Sequence, residues 1–393
     1  MENESIMNEE IIRVALLFDK SGLYERGLIR GIIKYSKLSF SPWKFFHEAP
    51  TYTTQDKKPK ILDKIRMWQP DCIVMDGNFL TSDYKSLGIP IIVSASNRII
   101  SNAINIIADD NKIGKLGAQY FIDKGYKNFG YYGTNQIFWS NIRKTSFYQT
   151  VNSLNFSFYE FEARLNNEWQ NNPSFLSEWM KTLPLPIAIM ACSDDFGTQL
   201  IIAAKIAQLR IPEDVAILGV DNDEFICDMY DPPMSSIDQD PESVGFEVAK
   251  TIRLLLKDRH LEIKYIIGNS FRIITRRSTD IFAMDDKEVI KALQYIQKNA
   301  EINQISVEDI VLATSLSRRV LEMRFRKMLN RSVLQEITRV KIDLICQKLI
   351  KTNQSINEIA YSMGFEWVST FSSYFRKAKK MSPKEFRNQF HSE

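Results

Sequence analysis

Near the end of the chain, Arg318, Arg319, Glu322, Met323 and Arg326 recur at the spacing of one helical face, opposite the apolar Leu321, Phe325 and Met328. A guanidinium on such a ridge can bind a phosphate or grip a purine edge through two parallel N–H groups. The chemistry on offer is therefore recognition of duplex nucleic acid. The scheme returns 50 residues on, where Phe371 and Phe375 form an apolar stripe and leave Ser369, Ser372, Ser373 and Arg376 outward.

Catalytic chemistry finds little to work with. The three histidines, His47, His260 and His391, stand apart from one another and from the four cysteines, Cys72, Cys192, Cys227 and Cys346, which form no CxxC pair. No metal site, disulfide framework or cofactor is expected from that pattern. Neither GxGxxG nor GxxxxGK[ST] occurs, and Asp221 and Asp223 read more economically as binders than as an acid/base pair. An enzyme is not expected.

These side chains need elements to hold them. At 393 residues, with 44% hydrophobic and 25% charged, the chain is long enough for two or three globular domains. From Asp285 onward 19 Lys and Arg face 13 Asp and Glu, a net of +6, whereas the preceding residues carry 32 against 35, a net of −3. The positive potential belongs to the tail, which suits a polyanion partner. The start, MENESIMNEE, is acidic where a signal peptide is basic and then apolar, and no apolar run reaches membrane length. A cytoplasmic protein with no membrane partner is expected.

Through the first ~280 residues, short β-branched runs alternate with helical patterns, the rhythm of parallel strands joined by crossover helices. Strands are expected at Arg13 to Phe18, Cys72 to Asp76, Ile89 to Val93, Phe129 to Tyr132, Ile187 to Cys192 and Val215 to Val220. Helices are expected at Tyr24 to Tyr35, Asn111 to Asp123, Ile142 to Leu154, Phe196 to Leu209 and Val244 to Lys257. Six such units favour an α/β body of two similar lobes with a cleft between them. In such sheets ligands bind beyond the carboxyl ends of the strands. The pattern changes after Arg276, so residues 1–280 are expected to form the sensor body, 281–286 a linker, and 287–393 an all-α tail. That tail holds two helix-turn-helix pairs, with Ser317 capping the first reading helix, Gly364 turning into the second, and Gln335 to Leu349 linking them.

The stretch SINEIAYSMGFEWVSTFSSYFRKAKKMSPKEFR, Ser355 to Arg387, resembles the signature of the arabinose-regulator (AraC) family, whose DNA-binding domain is a tandem helix-turn-helix. Ser317, Leu321 and Phe325 fit the first unit; Ile359, Ala360, Gly364, Phe365, Phe371, Phe375, Pro383 and Arg387 fit the second. The glycine usual before each closing turn is Asn330 in one unit and Lys380 in the other. By this resemblance Arg319, Glu322 and Met323, with Val368, Ser369 and Ser373, face bases in double-stranded DNA, and Arg318, Arg326, Arg376 and Lys377 meet phosphates.

In the body, VAILGVDNDE, SSIDQDPESVGFEVAKTIRLLL and FRIITRRST together resemble the effector core of the lactose- and galactose-repressor (LacI/GalR) family, itself similar to periplasmic sugar-binding proteins. Sugar binding uses carboxylates and amides for hydroxyls, a guanidinium for ring or hydroxyl oxygens, and an aromatic face for C–H groups. The resemblance implies that Asp221 and Arg143 contact the sugar, with Asp110, Asn111, Ser193 and Asp194 at matching positions. Asp19, Tyr24 and Trp139 are further candidates by their place near the cleft. A sensor first and a tandem helix-turn-helix last is the order of the bacterial xylose operon regulators, which implies D-xylose as effector, transcriptional activation through RNA polymerase, and a homodimer. Another sugar, a small non-sugar effector, or repression would leave the same sequence pattern.

Overall fold

The computed structural model describes residues 11–18, 22–39, 41–47, 58–94, 99–163, 173–258, 261–269, 271–283, 286–300, 305–329, 331–352 and 354–390. Two compact units result: residues 1–118 with 129–279, and residues 119–128 with 280–393.

Among the described residues twelve strands build the first unit: β1 Ile12–Leu17, β2 Trp43–His47, β3 Cys72–Asp76, β4 Ile91–Ser94, β5 Ile104–Ala108, β6 Asn128–Gly133, β7 Ser157–Glu162, β8 Ile187–Ala191, β9 Val215–Val220, β10 Ser235–Asp238, β11 Tyr265–Gly268 and β12 Arg272–Ile274. They form two six-stranded sheets, ordered β11-β5-β4-β3-β1-β2 and β12-β10-β9-β8-β6-β7. The expected two-lobed α/β body is present. The central runs CIVMD, IAIMA and VAILGV pair in parallel with their neighbours, and apolar strands buried on both faces are what a helix-covered parallel sheet requires.

The chain changes sheets three times, after β5, after β10 and after β11. Each crossing places residues beyond a strand's carboxyl end. The helix Leu23–Leu38 follows β1 and lies against Pro241–Lys257 at backbone distance: a Cβ on Gly31 would sit 1.9 Å from the Glu242 carbonyl oxygen, and one on Gly245 2.0 Å from that of Leu28. Any larger residue forces these helices apart, and with them the start of the helix that carries Tyr24.

The second unit is helical. Leu321, Phe325, Val333 and Ile337 share one core with Val289, Leu293 and Ile296, while Ile342, Ile345 and Leu349 share another with Ile359, Phe371, Phe375 and Phe386. The helix Val333–Lys351 thus gives its first half to one core and its second half to the other. It starts two residues earlier than expected because Ser332 and Gln335 close a reciprocal capping box. Gly364 has φ +77°, as a turn into the second reading helix needs, and Lys380 takes the left-handed conformation at φ +61° with its N–H on the Arg376 carbonyl. A lysine therefore does the work of the usual glycine there; Asn330 lies outside the described residues.

Residues 119–128, expected in the sensor, belong to the second unit. In the structure Asp123, near the end of the helix Asp110–Asp123, accepts Arg331 Nη1 at 2.7 Å and lies 3.4 Å from Arg339 Nη1. Both arginines also hold the buried Glu336, at 2.5 and 2.7 Å. Charge neutralisation draws this segment into the second unit.

Candidate functional site

In the first unit, five polar side chains converge beyond strand ends. Asp110 opens a helix after β5, but it does not cap it: the Lys112 N–H bonds the Asp109 carboxylate at 3.0 Å, leaving Asp110 to turn inward. There its Oδ1 accepts Arg143 Nε at 2.7 Å, both residues being only 4% exposed. Arg143 comes from the helix Phe138–Asn152, gives Nη1 to the Cys192 carbonyl at 2.6 Å, and stacks its guanidinium 4.6 Å from the Trp139 ring centre. Burial opposes the charge on Arg143, yet the carboxylates of Asp110 and Asp221 overcome it and raise its pKa.

Asp221, immediately after β9, adopts φ +111°, a strained value for a residue with a Cβ. It is held by its N–H on the Ile237 carbonyl at 2.9 Å and by Gln239 Nε2 on its Oδ1 at 2.5 Å. Burial pushes its carboxyl up to about 7, with Arg143 and the Gln239 bond pulling the other way. Tyr24 feels the same charges: burial raises its phenol, Glu25, Asp221 and Asp110 add to the shift, and Arg143 opposes it.

Tyr24, Asp110, Arg143, Asp221 and Gln239 are therefore one cluster, with Trp139 stacked on Arg143 and Glu25 acting on Tyr24. Asp194 has a different employment. Its Oδ1 accepts Ser236 Oγ at 2.6 Å and its Oδ2 accepts the Asp223 N–H at 2.8 Å, while Ser236 Oγ in turn accepts the Asn222 N–H at 2.9 Å. Both oxygens are engaged in pinning the loop that aims Asp221. Ser193 is buried at the cap of the next helix, and Asn111 is exposed. Asp19 lies outside the described residues. Two residues of this cluster were missed from sequence, Glu25 and Gln239. Gln239 follows β10, whose serines disguise it as a loop, so recognising that strand was the signal needed.

On the second unit, the two reading helices are Arg318–Leu329 and Val368–Lys379. Leu321 and Phe325, then Phe371 and Phe375, are fully buried, so the opposite faces point outward. Arg318, Arg319, Met323 and Arg326 are exposed on the first, and Ser369, Ser373, Arg376 and Lys377 on the second. Glu322 and Val368 are half-buried, Val368 packing on the core. Arg318 pairs with Glu308, and Arg326 lies 4.0 Å from Glu322, whereas Arg319 stands clear of both pairs on the ridge.

Among the described residues, no group of three or more His, Cys, Asp or Glu could hold a metal ion, and no helix is long and apolar enough to cross a membrane.

Comparison with known proteins follows the same division. The periplasmic binding protein-like domain family matches residues 118–279, and a helix-turn-helix domain family matches residues 310–389. The xylose operon regulatory protein of Escherichia coli (strain K12) is 28% identical over 387 residues, covering 96% of this chain and 97% of that protein. Its counterpart in Haemophilus influenzae is 26% identical over 400 residues, 97% of this chain and 99% of that one. A solved structure of a xylose-binding transcription activator is 25% identical, covers 98% of this chain and 99% of its own, and superposes with a TM-score of 0.59.

Proposed function

We propose that this chain, built like the xylose operon regulatory proteins from a periplasmic binding protein-like sensor and a helix-turn-helix domain, is a DNA-binding transcription regulator that answers to a pentose, D-xylose first among them. It is a regulator and not an enzyme. The observation that carries the reading is the cluster of Arg143, Asp110, Asp221, Gln239 and Tyr24 beyond the strand ends of a sensor whose chain continues into two arginine- and serine-faced reading helices. Fixed charged groups with a guanidinium stacked on an indole suit a polyhydroxylated ligand. The regulator works in the cytoplasm as a homodimer, activating transcription through RNA polymerase. Two tails on a repeated operator gain effective concentration only when their separation matches the half-sites, which is what sugar would reset.

The test is a closed cycle: operator titrations with and without D-xylose, and D-xylose calorimetry with and without operator. Linkage requires the same factor in both directions, expected at about 5- to 150-fold. A factor of one in both would sink the proposal, as would heat with other sugars and none with D-xylose.

Proton linkage gives a second check. Below its folded-state value of about 7, Asp221 carries a proton in the free cleft. A carboxyl raised in the fold binds protons that the unfolded chain has released, so sensor stability falls as pH rises from about 4 to 7. Sugar hydroxyls that donate to the ionised form displace that proton. Affinity should thus be about 10-fold weaker at pH 6 than at pH 8, with close to one proton released at pH 6. Calorimetry at pH 6 in buffers of different ionisation enthalpy counts the proton. Asp221→Asn should release none; an unchanged count in that variant rejects the assignment.

The division of labour on the reading helices is also measurable. Arg319→Ala should cost about 1–3 kcal/mol on the cognate site and relax base preference, whereas Arg376→Ala should weaken all duplexes alike and flatten the salt dependence. Equal losses for both variants on cognate and random DNA would contradict it.

A further inference from the structure

The second reading helix begins on an unexpected residue. Four neighbouring helices in the unit start on serine: Ser306, Ser332 and Ser355 each close a capping box, and Ser382 exchanges hydrogen bonds with Glu385. Val368–Lys379 instead has Trp367 at its N-cap, at φ −128° and ψ 130°, with no side-chain hydrogen bond to the first turn. That indole is 69% exposed.

Two local rules are broken at one position. A tryptophan cannot accept the amide protons that a serine would take, so the helix start is weaker than its neighbours'. Its large apolar ring also lies outside the core that Phe365, Phe371 and Phe375 complete beside it. Among the described residues the cap makes no side-chain hydrogen bond and the ring stays exposed, and such positions are where a sequence answers to a contact outside itself. The contact is indicated by the surroundings. Ser369, Ser373 and Arg376 share the helix's exposed side, and the residues at the start of a reading helix are those that reach base edges. In the major groove the one apolar feature presented by a base is the 5-methyl group of thymine.

We propose that Trp367 is a specificity-determining residue: its indole packs on thymine methyl groups in the major groove and makes the second half of the recognition site depend on thymine. The corresponding position in the first unit is the small, exposed Ser317. The two reading helices therefore differ in kind, one reading through an arginine and the other through an aromatic face.

The proposal rests on the DNA-binding reading, and one experiment separates the two. Full-length wild-type protein with D-xylose selects duplexes from a random-sequence pool. Each thymine of the selected duplex is then replaced by deoxyuridine, which removes only the methyl group. Wild type should lose roughly 10-fold at one or two adjacent positions. Trp367→Ser, which restores a capping hydroxyl, should melt at the same or a higher temperature, bind the selected duplex roughly 10-fold more weakly, bind random duplex within about 2-fold of wild type, and be indifferent to deoxyuridine at those positions. Trp367→Phe should retain part of the methyl sensitivity. If Trp367→Ser binds the selected duplex as tightly as wild type, or keeps the wild-type deoxyuridine pattern, the role of Trp367 is overturned while DNA binding stands. If wild type selects no duplex, the DNA-binding reading falls and this assignment falls with it.

Discussion

Arg143→Ala should bind D-xylose about 100-fold more weakly than wild type and lose about 3–5 kcal/mol of sensor stability, the largest combined effect expected of any single residue in the cleft. Stability falls because the substitution strands Asp110, a carboxylate 4% exposed whose Oδ1 loses its 2.7 Å bond to Nε. Burial already raises the Asp110 carboxyl against the pull of Arg143, so without the guanidinium it would take up a proton instead of remaining charged. The Cys192 carbonyl, held at 2.6 Å, loses its donor in the same step. Arg143→Lys is the informative control. A lysine restores charge but not a fork that reaches Asp110 and Cys192 together, so stability should recover in part while affinity does not. Calorimetry and thermal melting decide the matter. Wild-type affinity in Arg143→Ala would remove this arginine from the ligand site.

In the second unit, Glu336→Ala should cost a similar 3–5 kcal/mol and abolish operator binding at temperatures where wild type binds. Glu336 is 2% exposed and is bonded by Arg331 and Arg339, so its loss leaves Arg331 with Asp123 alone and Arg339 with Asp123 and the more exposed Asp343, each at 3.4 Å. The glutamate stands on the helix that serves both cores, and disturbance there reaches both reading helices. Its titration follows from the same geometry. Burial alone would push the carboxyl up, but Arg339 and Arg331 outweigh it and hold the carboxyl below its ordinary value of 4.5. A depressed carboxyl contributes stability that is complete above the unfolded value and is lost as pH falls through the folded one. Melting of the second unit should therefore weaken below about pH 4.5 in wild type. In Glu336→Gln that part of the acid dependence should vanish. A variant that melts and binds DNA as wild type does would show the cluster to be ornamental.

How much of this was legible beforehand depended on where each residue's reason lay. Strands such as VAILGV and CIVMD announce themselves because both faces are covered, whereas WKFFH and SFYEFE are edge strands with polar positions, and SSID looks like a turn. The Ser235 hydroxyl bonds the Arg276 carbonyl at 2.9 Å and that of Ser236 bonds Asp194, so β10 is polar because its serines are consumed inside the fold. Losing that strand meant losing Gln239 behind it. Asp221 and Arg143 were visible through the resemblance to the lactose- and galactose-repressor core, Asp221 also as a carboxylate directly after a strand. Asp194 was visible as a residue but not in its office, since nothing local in the sequence says that Ser236 and Asp223 turn toward it. The reading helices were the most legible part because a 3.6-residue period with aromatic anchors leaves only one face free. Trp367 was not, for its significance lies in what is absent, a serine where four neighbouring helices have one.

The segment 119–128 also bears on inheritance. A gene that exchanged its DNA-binding end with a relative by recombination near codon 280 would receive Arg331, Arg339 and Glu336 from one parent and Asp123 from the other. One of the carboxylates that balance the transplanted arginines is encoded far upstream of the junction. A different residue at position 123 would leave Arg331 with Glu336, and Arg339 with Glu336 and Asp343, but both without this third carboxylate. The compact unit that carries the reading helices is thus drawn from two separate stretches of the gene.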